Sequence, residues 1–184
     1  MTDGRRPQVM ILCEDKAHLD LIKGYCQAAG WNPRSIISAD VSPEARGSAE
    51  QWVRERYERT LRSFRSWHRQ GRNIILLVMI DADNRAVAER KRTVERDVQR
   101  QAKEPVAIFV PKRNIESWMA YLDGNLQTED ETGEEENYKN QYERGVSRRR
   151  FGEALRERCR SATEAEFPPS LGDACQEWRE RVSL

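Results

Sequence analysis

Large apolar residues are scarce in this chain. Leu, Ile, Val and Phe account for 35 of 184 residues, a level at which chains of one-sided charge stay disordered. Charge here is not one-sided, because 32 Lys and Arg stand against 31 Asp and Glu for a net +1. A folded domain with a modest core is therefore expected, and a bulk basic field that would by itself announce nucleic acid is absent. The four cysteines (Cys13, Cys26, Cys159, Cys175) form no CxxC, and the two histidines, His18 and His68, stand apart from them and from each other. That argues against a zinc site. No stretch is apolar enough to span a membrane and no leader peptide is evident, so the expectation is a cytoplasmic protein with reduced thiols and no membrane partner.

What charge there is comes in blocks. Arginines crowd 54–72, Arg and Lys crowd 85–103, "EDETGEEE" fills 129–136, and Arg148, Arg149 and Arg150 follow one another. Such runs are ordinarily solvated helix faces. The arginine triplet is also a candidate grip on nucleic-acid phosphates.

The few apolar residues are concentrated. "VMILC" (9–13), "NIILLVMI" (73–80) and "VAIFV" (106–110) are short continuous runs, the pattern of strands buried on both faces. "RSIISADV" (34–41) reads as a further, shorter strand. Between them lie helical periodicities. Leu19, Ile22, Cys26 and Ala29 repeat before Gly30, and Val53, Tyr57, Leu61 and Phe64 repeat after Ser48 and Gln51, which are spaced as a capping box. A charged helix is expected over 85–103, stopped by Pro105. Ile115, Trp118, Met119 and Leu122 mark another, with Asn114 as its N-cap and Trp118 on its core face.

Strands alternating with helices imply an α/β fold, a Rossmann-like parallel sheet flanked by helices. Residues 1–123 make the core, 124–137 an acidic loop or insertion, and 138–184 a helical C-terminal extension broken at "FPPSLG". In such sheets the functional crevice lies at the carboxyl ends of the strands. Glu14, Asp81 with Asp83, and Lys112 with Arg113 leave those ends. Residues i and i+2 of a strand share a side, so Asp81 and Asp83 can face one point, where a divalent cation would relieve their repulsion. Oxygen ligands without His or Cys suit Mg²⁺ or Mn²⁺. The plainer account makes Asp83 or Asn84 a cap for the next helix, and Glu116 a carboxylate complementing a helix dipole. A receiver-like phosphotransfer domain also places acidic residues at strand ends, with "CEDK", "IDAD" and Lys112 in the matching places.

A Glu after the first strand followed by "DAD" after a later one resembles the TOPRIM domain of topoisomerases, primases and certain nucleases, over about residues 7–123. "FVPKRNIESWMAYL" (109–122) is similar to the corresponding segment of small TOPRIM proteins related to the overcoming-lysogenization-defect nucleases and the RloB-like and abortive-infection proteins of bacteria. "NYKNQYERG" and "PPSLGDAC" resemble their C-terminal parts. The family's glycine after the first Glu is replaced here by "EDK". The resemblance implies a TOPRIM-like fold and Mg²⁺-dependent cleavage of DNA or RNA in phage defence, often beside an ATPase partner. It implies Glu14, Asp81, Asp83 and Glu116 as metal ligands and catalytic residues, and Lys139 as a catalytic lysine near the substrate phosphate. Lys112, Arg113, Arg148, Arg149 and Arg150 would hold the nucleic acid. A non-catalytic TOPRIM-like partner subunit or nucleic-acid clamp is the alternative, and a homo-oligomer is compatible with either.

Overall fold

The computed structural model describes residues 6–43, 48–125, 129, 142, 148–161 and 167–182. Four strands form one sheet: β1 (Gln8–Cys13), β2 (Ile36–Val41), β3 (Ile74–Met79) and β4 (Val106–Phe109). Their order is β2-β1-β3-β4 and every pairing is parallel. The helices are α1 (Lys16–Ala28), α2 (Ala49–Arg69), α3 (Val87–Val94), α4 (Ile115–Leu122), α5 (Arg148–Ser161) and α6 (Pro169–Arg181), with a 3₁₀ turn at Pro33–Ser35. The α/β class with a parallel sheet is thus observed.

Apolar residues are enough because the strands use both faces. Val9, Ile11, Ile75, Leu77, Met79 and Phe109 point into one core, shared with α1, α4, α5 and α6. Their neighbours Met10, Leu12, Leu76, Val78 and Ile108 point into the other, against Val53, Tyr57, Leu61 and Phe64 of α2. All six residues of β3 are buried. At about 1.5–3 kcal/mol per fully buried aliphatic side chain, β3 is the element the fold can least do without. β2 is an edge strand, half-buried except at the exposed Ala39, which is why its run in the sequence is less apolar.

Helix starts follow local chemistry. The Asp15 carboxylate accepts from the His18 N–H to cap α1, and the Asn114 side chain accepts from the Ser117 N–H to cap α4. Ser48 caps α2 through the Gln51 N–H, but the Gln51 side chain donates to Glu55 instead of reaching back. The expected capping box is therefore half made. The expected helix over 85–103 is cut down to α3. Ala86 stands at its N-cap with no side-chain bond, so neither Asp83 nor Asn84 caps it. It stops at Val94 because Arg100 is drawn off: its guanidinium bonds the Glu177 carboxylate and the Val106 carbonyl. Glu177 also accepts from Lys91 and from the Ile108 N–H. That last bond seals the outer edge of β4 against α6.

α5 lies along α1 at a crossing made by two glycines. A Cβ on Gly152 would come within 2.4 Å of the Leu21 carbonyl and the Tyr25 nitrogen, and one on Gly24 within 2.5 Å of the Arg149 carbonyl. Backbone thus meets backbone, and α5 and α6 enter the first core through Phe151, Leu155, Leu171, Ala174 and Trp178. The expectation of four reduced thiols is overturned. Cys159 and Cys175 form a disulfide, their Cα atoms 5.1 Å apart, a distance suited to a bridge that 16 residues of sequence separation concealed. Cys13 and Cys26 are free and buried. Trp118 is core as expected, its indole N–H donating to Ser170. Among the described residues no helix is long and apolar enough to cross a membrane.

Candidate functional site: a carboxylate cluster around His18

β1, β3 and β4 end at the same edge of the sheet, and the residues leaving them are pinned to one another. The Glu14 N–H donates to the Met79 carbonyl at 3.2 Å, so Glu14 is still held in the sheet as its side chain leaves it. That side chain accepts from the Asp81 N–H at 2.9 Å. Beyond β3, the N–H groups of Ile80, Ala82 and Asp83 donate to the carbonyls of Phe109, Pro111 and Arg113. The segment carrying the aspartates is therefore zipped to the segment leaving β4. α4 begins just after it, with Glu116 in its first turn and only 5% exposed.

The two aspartates do not share a side. β3 ends at Met79, so the strand's alternation has lapsed before Asp81. Asp83 adopts a left-handed conformation with φ of +52°, tolerated by Asp more readily than by most residues. Asp81 turns inward and accepts from His18 Nε2 at 2.9 Å. Asp83 turns to Arg90, 2.8 Å away, with its own side chain 60% exposed. Arg90 is buried, also reaching Glu50 at 3.0 Å and the Ala82 carbonyl at 3.2 Å. The expectation that both aspartates face one point is corrected on these grounds.

His18 holds the centre. It is fully enclosed, with Nδ1 lying 3.3 Å from Asp15 without hydrogen-bond geometry. Burial alone would drive its pKa down. The charge and hydrogen bond of Asp81, with Asp15 and Glu14 behind them, overcome that and raise it to about 9. The imidazole is thus a cation at neutral pH, inside a ring of carboxylates. Glu14 is pushed up to about 7, by burial first and by Asp81 next, while the Asp81 N–H and His18 pull the other way. Burial also holds Asp81 above the usual carboxylate range, although His18 opposes it. Glu116 is raised by burial and then by Asp81 and Asp15, against its own backbone hydrogen bond and His18. Glu14 and Glu116 therefore each sense Asp81, and His18 acts on all three as a buried cation.

Of the residues anticipated from sequence, Glu14, Asp81 and Glu116 come together, and Asp83 stands at the rim. Lys112 and Arg113 are half-buried on the β4 exit, where the Lys112 N–H donates to Ser170. The arginine triplet lies elsewhere. Arg150 pairs with Asp123, at the end of α4 opposite Glu116, and Arg149 with Glu153. Asp123 comes seven positions after Glu116, about 10 Å along the helix axis. The side chain of Arg148 and all of Lys139 lie outside the described residues.

His18, Asp15 and Arg90 are additions that the motif did not disclose. His18 had a signal: it sits four residues before Ile22 and four after Glu14, so helical register places it on the buried face and beneath the strand end. The buried face of α1 runs through Ala17, His18, Leu21, Ile22 and Tyr25, with Leu19 and Ala29 only partly buried. Arg90 had none, since it lies inside a charged run.

The donor set is all oxygen apart from His18, which is the chemistry of a hard divalent cation. Among the described residues, no group of three or more His, Cys, Asp or Glu side chains is spaced to hold a metal ion. A ready-made cage is therefore not what this arrangement offers. It offers one or two carboxylates at the sheet edge, the mode in which Mg²⁺ keeps several waters and shares its remaining positions with phosphate oxygens. Comparison of the chain with family models, with curated proteins and with solved structures finds no match.

Proposed function

We propose that the protein is a Mg²⁺- or Mn²⁺-dependent nuclease of the TOPRIM type, cleaving phosphodiester bonds of DNA or RNA. The observation that carries this reading is the convergence of Glu14, Asp81 and Glu116 at one sheet edge, each held above the ordinary carboxylate range by burial and by its neighbours. Asp81 and Glu14 would hold the ion, with Glu116 close by. When bound, the ion would supply polarisation of the phosphoryl oxygens and of water. His18 fixes the Asp81 carboxylate through Nε2, and Arg90 holds Asp83 at the rim. Lys112 and Arg113, on the β4 exit, are the nearest candidates for contacting the nucleic-acid backbone. The resemblance of "NIESW" and "DAD" to defence-associated TOPRIM proteins supports a cytoplasmic role against phage, beside an ATPase.

One observation favours a second reading, a non-catalytic subunit or nucleic-acid clamp. His18 already supplies a positive charge to the cluster, and Glu14, Asp81 and Asp83 each have a side-chain or backbone partner in the protein. Incubation of labelled single- and double-stranded DNA and RNA with the protein and Mn²⁺ separates the two. Cleavage that falls on the order of 10²-fold or more in Asp81→Asn supports the nuclease. Binding without cleavage, unchanged in that variant, supports the clamp.

A further inference from the structure

α6 works as a clamp on β4. Its Glu177 carboxylate accepts from the Ile108 N–H at 3.2 Å, inside the strand, and its Ser170 hydroxyl accepts from the Lys112 N–H at 3.2 Å, at the strand's exit. Ser170 and Glu177 stand two helical turns apart, so one helix holds β4 at two points. Cys175 lies between them in the sequence, and its bridge to Cys159 ties the clamp to α5. α5 in turn crosses α1 at Gly152 and Gly24, backbone against backbone.

The two ends of the bridge differ in access. Cys175 is fully enclosed, whereas Cys159 is 5% exposed and borders a concavity of about 520 Å³ between α1, α5 and α6. A small thiolate therefore meets the Cys159 sulfur first. Cys13 and Cys26 are already free thiols, so a reductant leaves them unchanged. In the cytoplasmic setting proposed above, the thiol pool keeps most cysteines reduced, and the bridges that do form there are usually catalytic or redox-sensing.

We propose that the Cys159–Cys175 pair is a redox latch: bridged, it holds α6 on β4 and fixes the Lys112 exit; reduced by a small thiol, it lets α6 lift from β4. In the reduction a thiolate attacks the Cys159 sulfur, the S–S bond breaks, and Cys175 leaves with the electron pair and takes up a proton. A second thiolate attacks the small-thiol sulfur of the mixed disulfide and releases Cys159, which is protonated in turn. Two small thiols are thus consumed, their disulfide is released, and the protein gains two thiols. Hydrogen peroxide reverses the change, taking two electrons and two protons from the pair and becoming two waters. Two separate thiols need more room than one bridge, and both lie in a close-packed core, so the helix spacing shifts on reduction. Lys112 and Arg113 are the proposed contacts to nucleic acid, so the latch would set how firmly that contact is held; this last part alone rests on the nuclease reading.

Backbone hydrogen exchange of the full, metal-free chain reads the latch without any cleavage. Oxidised protein is compared with protein treated with reduced glutathione, reduction being scored by two further alkylations after unfolding. Exchange at the Ile108 and Lys112 amides is expected to quicken at least about tenfold on reduction, with the β1 and β3 amides unchanged. The double variant Cys159→Ser/Cys175→Ser should exchange at the reduced rate with or without the thiol. Unchanged exchange at both amides in fully reduced protein overturns the proposal, as does a bridge that glutathione leaves intact in the folded chain. Loss of protection across β1 and β3 as well would make the bridge a staple of the whole fold and overturns it too. With labelled DNA or RNA and Mn²⁺, the reduced protein should show a raised KM and a nearly unchanged kcat. Equal KM in the two states overturns the regulatory part. No cleavage in either state removes the nuclease reading and leaves the exchange result to decide the latch.

Discussion

At the scale of single residues, His18 decides how the cluster behaves. Among the described residues it is the buried cation facing Asp81, Asp15 and Glu14, so removing it leaves Asp81 turned into the protein without its partner. His18→Gln keeps the approximate volume and loses the charge. Breaking a buried pair in this way should cost on the order of 3 kcal/mol, seen as a lowered melting temperature. Asp81→Asn removes the other half, yet keeps the shape and a hydrogen-bonding oxygen for His18. It should therefore melt closer to the unaltered protein while cutting at least about 10²-fold more slowly. Glu116→Gln distinguishes the two roles open to that residue. A small loss of stability with unchanged cleavage would make it a helix-dipole carboxylate, worth roughly 0.3–1 kcal/mol; the site account expects cleavage to fall. Glu14 and Asp81 were legible because each directly follows an apolar run. Their partners were not: the register of α1 put His18 on a buried face, but its contact with Asp81 spans 63 residues of chain, and Arg90 lies inside a run of charges.

At the scale of elements, the strands were readable and the helices only partly so. A continuous apolar run in a polar chain has few places to go, and β1, β3 and β4 all lie where their runs predicted. α3 ended short of its charged run because Arg100 and Glu177 meet across 77 residues, a tertiary contact that overrides propensity. The α1–α5 crossing was equally hidden. Gly24 and Gly152 look like weak points in helices, yet each stands where another backbone passes within 2.5 Å of a would-be Cβ. Gly152→Ala gains helix propensity, roughly 0.5–1 kcal/mol, and forces α5 off α1. The clash is with backbone atoms that cannot rotate away, so a net loss of about 2 kcal/mol or more is expected in chemical denaturation. An unchanged midpoint would show that the crossing is looser than described. Leu76→Ala, in the fully buried β3, should cost about 2–5 kcal/mol by the same measurement.

At the scale of the whole molecule, the cluster couples stability to pH. Glu14 titrates at about 7 in the fold against an ordinary 4.5, so the folded state holds its proton more tightly; that contribution is present at low pH and is lost as pH rises from about 4.5 to 7. His18 is raised from 6.5 to about 9, so its contribution is present below about 6.5 and lost as pH rises through 9. Both slopes have the same sign. The metal-free protein should melt at progressively lower temperature from pH 5 to pH 9, and His18→Gln should flatten the upper half of that range. A divalent cation reverses the balance, because it favours the ionised carboxylates. Added Mn²⁺ should raise the melting temperature more at pH 8 than at pH 5.

The central claim is that Glu14 and Asp81 form a divalent-cation site, and one titration addresses it. Free Mn²⁺ is followed by electron paramagnetic resonance as protein is added at pH 8, with the unaltered chain and Asp81→Asn side by side. The account predicts saturable loss of the free Mn²⁺ signal with the unaltered chain, and binding at least about tenfold weaker in the variant. A signal that stays at its protein-free value throughout, or falls equally with both proteins, would contradict it.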